Sequence, residues 1–140
     1  MATYHLAIPT LPTSDVPATV AFYRDLLGFD VAAVWPEDAP TFCILMKDTV
    51  ELSFTAAPEG WQADRSVSMR LRVDSALEIF ERIREQVEVE WGPEVYDYGC
   101  REFSVKDCNG YSLIFTEETD DEPTCRVVGG EDDEDPPPKS

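Results

Sequence analysis

Apolar residues along the chain fall into two kinds of block. Val16, Val20, Tyr23 and Leu27 recur at helical spacing, and Phe22 and Leu26 widen the stripe. That pattern predicts a helix over 14–29, with Ser14 or Asp15 as its cap, Pro17 in its first turn and Gly28 after its end. The stretch before it, 6–12, reads as extended and carries two prolines, which suits an edge or terminal strand. Three strand-like runs follow at 29–35, 41–46 and 50–55. After a polar connector at 56–65 the order restarts. Residues 67–73 alternate as a half-buried strand does, and 74–87 form an amphipathic helix through Leu77, Phe80, Ile83 and Val87. Ser75 and Glu78 stand at capping-box spacing. Strand-like runs return at 87–91, 101–105 and 111–116.

The restart is a repeat. Asp15 and Asp74 precede the two helices at an offset of 59, and Asp48 and Asp107 open the two final turns at the same offset. "SFT" at 53–55 matches "IFT" at 114–116 at an offset of 61, the extra residues falling in the turn that holds Asn109 and Gly110. The chain therefore reads as an α+β protein of two βαβββ modules, about 4–56 and 66–117, within one domain spanning 1–118. Each module is too small to bury both faces of its sheet. Two curled mixed sheets around a cleft satisfy that shortage. From 119 to 140 the periodicity ends, and acid, Pro and Gly dominate; this predicts a disordered acidic tail.

Charge narrows the partners. The formal charge is −18 over 140 residues, and the 22-residue tail carries −6 of it, leaving −12 on the folded part. Such a surface repels phosphates and anionic lipid, so neither nucleic acid nor membrane is an expected partner, and it attracts cationic small molecules. Four cysteines without a CxxC pair, no leader and no apolar run near the roughly 20 residues of a membrane span point to a cytoplasmic protein with reduced thiols. His5 is the single histidine, which excludes a two-His-one-carboxylate iron site or a His-Glu-x-x-His zinc site within one chain.

The paired βαβββ arrangement resembles the vicinal oxygen chelate superfamily of glyoxalase I, extradiol dioxygenases and bleomycin-resistance proteins. "AIPTLPTSDVPATVAFYRDLLGF" is similar to the first strand and helix of the bleomycin-resistance group, including the early Pro9. "YGCREFSVKDCNGYSLIF" resembles its "WG-x-REF-x-x-x-D-P-x-G" signature, with Tyr98 in place of Trp and Cys108 in place of Pro. The resemblance implies a homodimer whose first strand exchanges between subunits at Pro9, with ligand sequestered in clefts at the dimer interface.

The resemblance also implies four symmetric metal positions in the superfamily's enzymes. Counting from the two helices and from Gly110 assigns them to Ile8, Ser53, Val67 and Ile114. Three alkyl groups and a hydroxyl hold no divalent cation, so the expectation is no metal and no other cofactor. No nucleophile constellation is visible either. The expected function is metal-free sequestration of a cationic or aromatic small molecule, such as a glycopeptide-type antibiotic of the bleomycin class, rather than catalysis. The candidate ligand residues are Trp35, Phe42, Trp61, Tyr96 and Tyr98 as aromatic faces, Arg101, and Glu51 with Glu37 and Asp38 as charge partners. The alternatives are a lyase, isomerase or dioxygenase of the superfamily with an atypical metal site, and an acidic interaction protein acting through its tail.

Overall fold

A computed structural model describes residues 1–125. The chain divides into two compact units, Met1–Ala63 and a second beginning at Asp64. The first contains β1 (Thr10–Thr13), α1 (Val16–Ala21) running on into a π-helical stretch (Phe22–Leu26), β2 (Asp30–Trp35), β3 (Phe42–Lys47) and β4 (Val50–Ala56). The second contains β5 (Ser68–Arg72), α2 (Ala76–Ile83), β6 (Glu88–Tyr96), β7 (Cys100–Lys106) and β8 (Ser112–Glu118). Each is βαβββ with a four-stranded mixed sheet, in the orders β1-β4-β3-β2 and β5-β8-β7-β6. The first strand pairs parallel with the last in both, and the other pairs are antiparallel. The α+β class and the two modules are thus as the repeat predicts. No helix among the described residues is long and apolar enough to cross a membrane.

One face of each sheet packs on its own helix. In the first unit Cys43, Leu45, Leu52 and Phe54 are buried against Tyr23, whose ring lies 5.2 Å from Phe54 and 5.6 Å from Phe29. In the second, Phe103 stacks on Phe115 at 5.0 Å and takes the edge of Phe80 at 5.1 Å, with Ile83, Val105 and Leu113 wholly buried around them. Each such side chain contributes about 1.5–3 kcal/mol by leaving water. The opposite face of each sheet carries no helix of its own unit, and alternation along the strands fixes its residues.

The structure departs from the sequence expectations at four places. First, β1 begins at Thr10, not at 6. Pro9 has no N–H to donate, and only its carbonyl joins the ladder, accepting from Ser53 N at 3.0 Å. Residues 1–9 before it are exposed. Second, the caps do not keep the 59-residue offset: Asp15 caps α1, its carboxylate accepting from Ala18 N at 3.0 Å, and Ser75 caps α2 as its capping-box spacing predicts, accepting from Glu78 N at 3.2 Å. The helix offset is therefore 60, and counting back from the second cap leads to Ser68 rather than Val67. Third, β6 runs on through Gly92-Pro93 to Tyr96, beyond the strand-like run at 87–91. Gly92 has φ +84°, and a Cβ there would stand 2.5 Å from the Glu102 carbonyl oxygen and 2.8 Å from Phe103 Cα. The glycine lets β7 approach across a register irregularity. Fourth, the expected tail is partly tied to the second sheet, with Thr124 and Cys125 laid against β6. Thr124 N donates to Val95 O at 2.7 Å, Val95 N donates to the Thr124 hydroxyl at 2.8 Å, and Cys125 bridges to Tyr96. The rest of the expected tail, 126–140, lies outside the described residues.

Candidate functional site

The open face of the second sheet is polar where a solvent face would be, yet much of it is buried. Glu102 and Ser104 have no exposure, Thr116 has 2% and Ile114 has 3%. Register puts them together: Ser104 pairs with Ile114 and with Trp91, and Glu102 with Thr116. Ser68 and Arg70 of β5 share this face, since Ser68 pairs with Ser112 and Arg70 with Ile114. A cavity of about 310 Å³ opens here, lined by Arg65, Ser66, Ser68, Glu90, Trp91, Ser104, Lys106, Ser112 and Ile114.

Two polar clusters organise the face. In the cavity, Glu90 accepts from the Ser104 hydroxyl at 2.6 Å and pairs with Lys106 Nζ at 3.0 Å. Burial pushes the Glu90 carboxyl up, but hydrogen bonds from Ser104, Ser112 and Lys106 outweigh it, and the net direction is down. Lys106 also donates to Gly110 O at 3.2 Å, which ties the β7–β8 turn to the cavity. That turn is held from within by Asp107, whose carboxylate accepts from Asn109 N at 2.8 Å and Tyr111 N at 2.9 Å. The sequence replaces the usual proline with Cys108, and these two bonds supply the constraint.

The second cluster is centred on Glu102. Its carboxylate pairs with the Arg70 guanidinium and accepts the Tyr98 hydroxyl. Burial alone pushes this carboxyl up. The hydrogen bond from Tyr98 and the charge of Arg70 more than offset that, so it lies below its ordinary value. The Tyr98 phenol moves up, first through burial and then through its bond to the carboxylate. It stays a donor. Its ring stacks on Tyr96 at 5.7 Å and 15°, and Tyr96 meets the edge of Trp91 at 6.2 Å. The three rings make a continuous aromatic wall reaching the cavity.

The sequence candidates are placed as follows. Trp35, Phe42 and Glu51 share the open face of the first sheet, because Trp35 pairs with Phe42, Phe42 with Thr55, and Met46 with Glu51. Trp35 is 68% exposed there. Glu37 and Asp38 are exposed in the β2–β3 loop. Trp61 is half-buried in the connector, its N–H bonded to Pro58 O at 3.1 Å. Tyr96 and Tyr98 come together on the second sheet; Tyr98 is 46% exposed, whereas Tyr96 at 1% is the support beneath it. Arg101 lies on the helix-side face with its guanidinium engaged by Glu117 and Asp121. Glu117 also accepts from Ala76 N at 2.9 Å, so Arg101 serves the start of α2. Pro9 stands where the exposed N-terminal stretch meets the sheet. Residues that sequence reasoning missed are Arg65, Ser68, Arg70, Glu90, Trp91, Glu102, Ser104, Lys106 and Ser112. Their alternation with Met69, Leu71, Phe103, Val105 and Leu113 marked the face but gave no sign of a cavity on it.

The donor set does not fit the metal of the superfamily's enzymes. In the second unit the relevant positions are Ser68 and Ile114, a hydroxyl and an alkyl group; in the first they are Ile8 and Ser53. Among the described residues no group of three or more His, Cys, Asp or Glu side chains stands close enough to hold an ion.

Comparisons with known proteins agree with this architecture. The family model described as "Glyoxalase/Bleomycin resistance protein/Dioxygenase superfamily" matches residues 5–115. No sequence among curated proteins matches. Among solved structures, an antibiotic-binding protein, TnmS3 from Streptomyces sp. CB03234, is 22% identical with a TM-score of 0.69, covering 85% of this chain and 99% of its own. A bleomycin resistance determinant encoded on the transposon Tn5 is 24% identical with a TM-score of 0.67, covering 82% and 98%. A glyoxalase/bleomycin resistance protein/dioxygenase from Nocardioides is 18% identical with a TM-score of 0.68, covering 91% of each chain. At these identities the structural likeness shows the fold.

Proposed function

Since the chain belongs to the glyoxalase/bleomycin resistance protein/dioxygenase superfamily, we propose that it binds a planar aromatic small molecule and sequesters it unchanged. The observation that carries this reading is the open face of the second sheet. A cavity of about 310 Å³ has Trp91 in its wall, and the exposed Tyr98 ring stands beyond it on the buried Tyr96. Flat aromatic ligands gain area and stacking from such a wall, and the serine hydroxyls supply orienting hydrogen bonds. The neighbours of like fold include an antibiotic-binding protein and a bleomycin resistance determinant, which favours an antibiotic as the ligand. The cationic alternative draws no support from this cavity, whose lining holds one carboxylate against two cations.

The binding unit is a homodimer in this reading. Tyr4, Leu6 and Ile8, at 97%, 60% and 44% exposure, alternate along the N-terminal stretch before Pro9. An exposed extended segment with three large apolar side chains suits exchange onto a second copy.

The test is a tryptophan-fluorescence titration with bleomycin and a panel of planar aromatic antibiotics. Saturable quenching with a Kd of roughly 1–100 µM is expected for at least one planar compound, the range in which a modest apolar cleft binds. No saturable change with any of them at high micromolar concentration overturns the proposal.

A further inference from the structure

Charge inside the cavity runs against the charge of the chain. The protein carries −18 overall, but the cavity presents Arg65 and Lys106 against Glu90 alone. Glu90 is also spent, since Lys106 and Ser104 already occupy its two oxygens at 3.0 and 2.6 Å. Arg65 forms no ion pair among the described residues and stands exposed on the cavity wall. Its place is fixed by the turn around it: Asp64 accepts from Ser66 N at 2.9 Å and from the Ser66 hydroxyl at 2.7 Å. Ser66 lines the cavity too, beside Arg65. Opposite polarity comes from Ile114 and Trp91, which supply an alkyl floor and an aromatic wall.

We propose that the cavity selects an acidic aromatic compound, its ring on Trp91 and its carboxylate or ionised phenol on Arg65. Resting on the small-molecule reading above, this names the ligand class. A guanidinium offers a planar fork of donors that matches a carboxylate in two parallel hydrogen bonds, whereas an ammonium group on the ligand would meet it as a like charge. The chain's net negative field works against casual anion uptake, and it is screened beyond about 8 Å at physiological salt. Selection for an anion must therefore come from contacts in the cavity.

Three probes of one size separate the possibilities: anthraquinone-2-carboxylate, 2-(hydroxymethyl)anthraquinone and 2-(aminomethyl)anthraquinone, titrated against the full chain by tryptophan quenching. The carboxylate is expected to bind about threefold to fivefold tighter than the neutral alcohol, the size of a solvent-exposed charged contact. Arg65→Gln is expected to erase that preference, so that carboxylate and alcohol bind the variant with equal Kd. Thermal denaturation of the variant alongside wild type checks that it is folded. Equal affinity for carboxylate and alcohol, tighter binding of the ammonium compound, or a carboxylate preference that survives Arg65→Gln overturns the inference and leaves the binding reading standing. No quenching by any of the three, with none by the antibiotic panel, overturns both.

Discussion

Replacing Glu102 by glutamine removes a charge from a position with no solvent exposure while keeping the side chain's shape. In the native protein the carboxylate pairs with Arg70 and accepts the Tyr98 hydroxyl. A hydrogen bond to a buried charge contributes about 1.5–3 kcal/mol, and a neutral acceptor retains about 0.5–1.5 kcal/mol of it. The Arg70 side chain is 45% exposed, so water compensates most of its loss, and its share is about 0.5–1 kcal/mol. Relief of the carboxylate's desolvation works in the other direction. The net cost of Glu102→Gln is therefore about 1–2 kcal/mol at pH 7, or roughly 3–6 °C in Tm for a chain of this size. The sign of the pH dependence follows from the direction of the shift. Glu102 is held below its ordinary value of 4.5, so its stabilisation is fully present above pH 4.5 and is lost as pH falls through the lower, folded value. Thermal melts of both proteins at one concentration, from pH 7 down to about 3, should show a gap that is constant to near pH 5 and then closes. A variant as stable as wild type at pH 7, or a gap unchanged down to pH 3, refutes the assignment of Glu102 as a paired, ionised carboxylate.

Gly92→Ala should be far more damaging than its size suggests, because the new Cβ meets two β7 backbone atoms inside 3.0 Å at positive φ; we expect a loss of about 3 kcal/mol or more in denaturant unfolding, and a loss under 1 kcal/mol contradicts the close approach. On the homodimer proposed above, the full chain should sediment as a dimer and a chain lacking residues 1–9 as a monomer; a monomeric full chain, or a dimer unchanged by the deletion, contradicts strand exchange.

Much of the architecture was legible because two periodicities met a repeat. Val16, Val20, Tyr23 and Leu27 gave the first helix, Met69 and Leu71 the alternation of β5, and the "SFT"/"IFT" match at an offset of 61 aligned β4 with β8. The errors share a physical origin. Gly92-Pro93 is a break by local preference, but tertiary pairing with β7 carries the strand through it. Asp74 matches Asp15 by type, but Ser75 caps α2, as its spacing to Glu78 predicts, so the 59-residue helix offset slips by one. The site was less legible. Tyr98 was reached through its motif, but Glu102, Ser104 and Lys106 look like a solvent face when only alternation is known. What makes them a site is burial by Trp91, Tyr98 and Arg70 from other strands and turns, which no local window contains. Arg101 lies on the other face from its neighbour Glu102, because adjacent strand residues point to opposite faces.

The central claim is that ligand lies on the open face of the second sheet. Amide NMR of the labelled protein, titrated with the tightest compound from the antibiotic panel, tests it most directly. The account predicts shifts at Ser68, Trp91, Ser104 and Ile114 that saturate together with the fluorescence change. Shifts confined to α1 and α2, with those four amides unmoved, would contradict it.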